Sequence, residues 1–225
     1  MITKDKLSAS RIFSYLFGLM MLALGISSSV VSSMGAMPGG MMPSTMNLIL
    51  GMEFGLSTAI WMSFLVLVQI LIQIKQFTPW ILLQFVVSIV FGWFNSFGVW
   101  FFGLFPDSAG LGLRVLLLVF GIVASGFGIW LYSTADIMNM PSEGISRALS
   151  DITGKPFHTI KVIFDVVCVV GAAAVCWICL GYPGEFGLGT ILNALLNGTV
   201  VGICAHLWDK KLFTVFDRDK TRLLK

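Results

Sequence analysis

Residues 56–73 read LSTAIWMSFLVLVQILIQ, a run without a single charged side chain. Apolar and polar residues do not alternate along it, as they would in a barrel strand. Wound as a helix at about 1.5 Å per residue, it nearly crosses a hydrocarbon layer of about 30 Å and satisfies its own backbone there. Comparable runs occupy 11–34, 79–103, 111–134, 158–180 and 186–207, and residue 56–75 is the full extent of the quoted one. The fold class is therefore an all-α membrane protein with six transmembrane helices. Composition agrees: of 225 residues 57% are apolar and 11% charged, with mean hydropathy +0.93, whereas a soluble domain carries about a quarter charged residues. Six spans leave no room for a separate catalytic domain.

Lys and Arg set the expected orientation, because cytoplasmic loops keep positive charge. Lys4, Lys6 and Arg11 precede the first span, Lys75 follows the second, and Arg147 and Lys155 follow the fourth. The tail adds Lys210, Lys211, Arg218, Lys220, Arg222 and Lys225. The alternate loops carry none apart from Arg114, just inside the fourth span. Both termini are expected in the cytoplasm and the protein in a bacterial inner membrane. The first apolar run is read as a span and not a cleaved leader, since it is long enough to cross and has a counterpart later in the chain.

Shifting the second half against the first by 103 residues brings Gly121 onto Gly18, Gly128 onto Gly25, Pro141 onto Pro38, Gly154 onto Gly51 and Phe157 onto Phe54. At an offset of 109, Asn193 and Asn197 fall on Gln84 and Ser88, keeping the i, i+4 spacing that places both polar groups on one helix face. Each copy holds three spans, an odd number, so the copies enter the membrane from opposite sides. The expected architecture is two inverted three-helix repeats, 1–103 and 104–207, followed by a basic cytoplasmic tail, 208–225. Between the first and second helix of each repeat lies a Pro- and Gly-marked link too short to span. In the second copy Pro141 breaks the preceding helix, Ser142 is the expected N-cap, ISRALSDIT the helix and Gly154 its stop. Such short helices are interfacial or re-entrant, and paired interruptions of this kind point to a ligand site.

The glycine-punctuated first helix, the Pro-containing link to a short helix ending in Gly, and a last helix reading FGLGTILNALLNGTVVG together resemble the YczE/YyaS/YitT group of bacterial integral membrane proteins. The resemblance runs from about Gly18 to Leu207 and implies a polytopic inner-membrane protein.

Ionisable and amide residues inside apolar spans are the candidate site. Asp165, with Lys161 one helical turn before it, reads either as a coupling carboxylate or as a structural ion pair near the interface. Glu143, Arg147 and Asp151 form either a solvated ladder or an anion clamp with Arg147 at its centre, which Asp136 and Asn139 would join. Gln84, Ser88 and Asn95 on the third span, with Asn193 and Asn197 on the sixth, either bond helices together or line a cavity. His158 and His206 read as interfacial anchors. Cys168, Cys176, Cys179 and Cys204 read as apolar fillers. The methionines of the first loop, Met34, Met37, Met41, Met42, Met46 and Met52, suit Cu(I) in principle but fill space equally well.

The expectation is a secondary transporter of a small polar or amphipathic solute, working by alternating access. The alternatives are a non-transporting scaffold or sensor subunit and, more weakly, copper handling. No enzyme motif, cofactor or resident metal is expected. The expected partners are the solute, anionic lipids at the basic tail and, optionally, a second copy of the chain; nucleic acid is not among them.

Overall fold

The computed structural model describes residues 8–74, 78–105 and 110–223. Lys4, Lys6, Lys75 and Lys225 lie outside the described residues, and so do the side chains of Lys210, Phe213, Arg218, Lys220 and Arg222. The elements are α1 (Ala9–Val31), α2 (Pro38–Leu50), α3 (Phe54–Ile72), α4 (Leu83–Phe102, entered through a 3-10 turn at Pro79–Leu82), α5 (Gly110–Ala135), α6 (Pro141–Thr153), α7 (Phe157–Leu180) and α8 (Leu188–Leu223). No strand occurs among the described residues. Six helices are long and apolar enough to cross a membrane: α1, α3, Pro79–Phe102, α5, α7 and the Leu188–Asp209 part of α8. The chain is an all-helical, multi-pass membrane protein, and each span falls within a few residues of its sequence expectation.

Glycines organise the centre. α1 and α5 cross antiparallel with Gly18 against Gly128 and Gly25 against Gly121, the same four residues that coincide on shifting the sequence. A Cβ on Gly128 would lie 2.4 Å from the Leu22 nitrogen, and one on Gly25 would lie 2.6 Å from the Ser125 nitrogen, so the backbones touch. Lipid offers no hydrophobic drive between spans; contact this close gains dispersion energy in its place. α4 packs on α1 and α8 on α5, while α2 lies against α3 and α7, and α6 against α7 and α3.

The two short helices are built alike. Each has 13 residues, begins with Pro at its first helical position after an extended methionine (Met37, Met140), and ends at a left-handed glycine, Gly51 at φ 66° and Gly154 at φ 67°. The N-cap is thus Met140 and not Ser142. Pro141 forces the residue before it into the extended region, so the helix starts two residues earlier than an N-cap at Ser142 would allow.

The pairs α3–α4 and α7–α8 pack differently. α3 and α4 meet through Gly55 and Gly92, where a Cβ on Gly55 would come 2.3 Å from the Gly92 carbonyl oxygen. Among the described residues α7 and α8 scarcely touch. At the two sequence offsets given above, the positions of Gly55 and Gly92 are taken by His158 and Val201, which carry side chains where the closely packed pair has none.

The tail is not a separate segment lying by itself. It continues α8 without a break to Leu223. Phe216 is buried, with the Arg11 guanidinium 4.6 Å from its ring centre, and Trp208 stands edge-on to Phe127 and tilted against Trp130. Phe216 and Trp208 thus meet α1 and α5.

Candidate functional site

The space left between α7 and α8 leads into a cavity of about 510 Å³. Apolar side chains make most of its wall: Leu22 and Ile26 of α1, Met62 of α3, Phe91 of α4 and Ile129 of α5. The first turns of both short helices line it, through Pro38 and Gly39 of α2 and through Ser142 and Glu143 of α6. Neither N-cap methionine supplies a side-chain oxygen to those turns. A mostly apolar cavity of this volume with a few converging polar groups is the usual form of a small-molecule site.

Glu143 is the most constrained of the polar groups. The Tyr132 hydroxyl of α5 donates to its Oε1, and Tyr15 of α1 stands edge-on to Tyr132 at 6.3 Å between ring centres. Burial pushes the Glu143 carboxyl above the ordinary carboxylate range; the hydrogen bond from Tyr132 and the positive charge of Lys161 pull partly back. Lys161 and Asp165 of α7 also line the cavity, and the Lys161 ammonium donates to Asp165 Oδ1. His158, one turn before Lys161, lines it too.

Asn193 and Asn197 reach the cavity from α8 but are also tied to neighbours. Asn193 Nδ2 donates to Ser29 Oγ at 2.9 Å and to the Gly189 carbonyl at 2.9 Å. Asn197 Nδ2 donates to Ser125 Oγ at 3.3 Å. The Oδ1 atoms of both are buried without a hydrogen-bond partner among the described residues.

The remaining candidates lie elsewhere. Asn95 is fully buried, donates to the Phe91 carbonyl at 2.8 Å and receives the Ser27 hydroxyl, which fastens α4 to α1. Ser88 donates to the Gln84 carbonyl of its own helix at 2.7 Å. Of this half of the amide stripe, Asn95 bonds one helix to another, whereas Ser88 bonds only within α4. Gln84, Asn139 and Arg147 line a second cavity of about 290 Å³ with Gln69 and Gln73. Arg147 is exposed, with its guanidinium 5.3 Å from the Phe157 ring centre, so it does not sit in the main cavity as an anion clamp. Asp151 is exposed. Asp136 faces a third cavity of about 460 Å³, together with Arg11 and Asp209. Met37 and Met41 are buried in different apolar clusters, as filling side chains are. Among the described residues no group of three or more His, Cys, Asp or Glu is placed to hold a metal.

Tyr132 and His158 are the cavity residues that sequence reading misses. A lone Tyr in an apolar span gives no signal until α6 brings Glu143 beneath it, and His158 reads as a membrane-edge residue until α8 is seen to stand off from α7.

Residues 9–206 match a protein family described as a family of unknown function, DUF6198. The chain belongs to that family. No curated protein and no solved structure matches it. The match takes in the first five spans, most of the sixth and every residue named above for the main cavity, so that cavity lies wholly within the DUF6198 region.

Proposed function

We propose that the protein is a secondary transporter that carries a small polar or amphipathic solute by alternating access between two inverted repeats. The observation that carries this reading is the convergence of Glu143, Lys161, Asp165, Asn193 and Asn197 on one cavity beside the first turns of both short helices. Interrupted helices whose ends face a shared cavity near the middle of the fold are the usual transporter site. The like caps of α2 and α6, the reciprocal glycine crossing and the paired contacts of α2 with α7 and α6 with α3 support the inverted repeat. A tight α3–α4 pair opposite a parted α7–α8 pair suits a molecule halted with one repeat closed and the other open. The reading keeps the YczE/YyaS/YitT-like resemblance, a bacterial inner-membrane location and cytoplasmic termini.

Reconstituted vesicles loaded with neutral, cationic and anionic solutes test it. Flux of one class is expected, reduced at least tenfold by Asn193→Ala and Asp165→Asn with folded protein retained. Absence of flux for every class removes the transporter reading. The scaffold reading then takes its place, favoured by the amide–hydroxyl ties Asn95–Ser27, Asn193–Ser29 and Asn197–Ser125.

A further inference from the structure

The main cavity does not end at its own wall. A groove of about 380 Å³ runs between α7 and α8 and shares Pro38, Val162, Asp165 and Ala194 with it. Val166, Val169 and Ile191 make the groove apolar. Because α7 and α8 scarcely touch, the polar groups of the cavity are reached sideways, through a cleft whose lining resembles lipid.

Charge inside the cavity is unequal. Glu143, Asp165 and Lys161 line it, and Lys161 is committed to Asp165, so an ionised Glu143 is the charge left over. The groups that face Glu143 offer it no full partner. Tyr132 from α5 gives a neutral hydroxyl, and Tyr15 from α1 stands behind that ring. Arg147, one turn along α6, is turned toward Phe157, and the ammonium of Lys161 on α7 is held by Asp165, so both positive charges act on Glu143 through space without a direct bond to it. His158 on α7 faces the same space. An anion arriving here would meet a carboxyl without a spare cation to hold it, whereas a cation would meet a carboxylate and the aromatic rings of Phe91, Tyr132 and Phe157.

We propose that the main cavity is an exchange site, in which the Glu143 carboxyl releases its proton to admit a lipophilic organic cation entering from the bilayer between α7 and α8. This rests on the transporter reading above and names its substrate class. On entry the carboxyl O–H bond breaks, the proton passes to water and the carboxylate balances the cation; on release the proton returns. Burial of Glu143 favours its protonated form in the empty cavity, which is what exchange needs.

The test uses the purified full-length chain in lipid nanodiscs with tetraphenylphosphonium as probe. Titration calorimetry in buffers of different ionisation enthalpy reads both binding and the protons released. Wild type is expected to bind saturably and to release about one proton per cation below the carboxyl midpoint, with affinity falling about tenfold for each further pH unit of acidification. Glu143→Gln should abolish the proton release. Tyr132→Phe keeps the carboxyl but removes the hydrogen bond that favours its ionised form, so the midpoint should move to higher pH. The proposal is overturned by wild type that does not bind saturably, by binding indifferent to pH, by folded Glu143→Gln that still releases a proton, or by a Tyr132→Phe midpoint that stays in place. Failure to bind the cation alongside vesicle flux of an anionic or neutral solute would sink this inference alone; loss of all flux would sink the transporter reading.

Discussion

Gly128 and Gly39 are the same residue in opposite circumstances. A Cβ at 128 lands 2.4 Å from the backbone nitrogen of Leu22, while at 39 nothing lies within 4 Å. Gly128→Ala is therefore expected to destabilise by at least about 1–3 kcal/mol, as overpacking does, and Gly39→Ala to be neutral or to stabilise by up to about 1 kcal/mol. Thermal melting of the two variants in detergent checks this; equal shifts would deny the α1–α5 contact. Asn95 offers a second comparison. Asn95→Ala breaks the link to Ser27 and should lower stability by about 1 kcal/mol, yet leave the main cavity intact. A melting shift with unchanged solute flux per folded molecule is the expected pair of results, and loss of flux at full stability would return Asn95 to the binding site. Polar residues at helical spacing were legible in the sequence because spacing fixes the face on which they lie. It does not fix what that face meets, so Asn95 and Asn193, both fully buried, read alike although only Asn193 is among the side chains around the main cavity.

The short helix α6 shows how an element carries pH dependence. The Glu143 carboxyl is raised by burial, so the folded protein binds its proton more tightly than the unfolded chain does. Its stabilising contribution is complete below the unfolded carboxyl range, about pH 4, and is lost as pH rises through the raised folded value. Melting temperature is expected to fall over that window in wild type relative to Glu143→Gln; a relative rise would contradict the assignment. The end of α6 gives a simpler test. Gly154 has φ 67°, where a Cβ is strained even though the space around it is open. Gly154→Ala should cost about 1 kcal/mol, and an unchanged melting point would show the cap to be dispensable. Both short helices were legible from Pro at the start and Gly at the stop, since those residues act through local dihedral angles. Their partners were not, because α2 lies on α7 and α6 on α3 across a long separation in sequence.

At the scale of the molecule, the parted α7–α8 pair is the asymmetry that matters. Its sequence trace is slight: His158 and Val201 stand where Gly55 and Gly92 allow the other pair to close, and neither residue announces a cavity without the packing around it. Ala194 lies where cavity and groove join. Ala194→Trp is expected to cut solute flux several-fold with little change in melting temperature, and undiminished flux would argue for an entry route other than the cleft. The length of α8 has a consequence of its own. Thirty-six residues make about 54 Å of unbroken rod, far more than the membrane needs. One end borders the main cavity at Asn193 and the other rests under Arg11 at Phe216. Were the Asn193 end to tilt by about 10°, Phe216, about 35 Å along the rod, would shift by about 6 Å against the α1 terminus, as a pointer moves over a dial. A pair of dyes set across that dial would let the occupancy of the buried chamber be watched from the water.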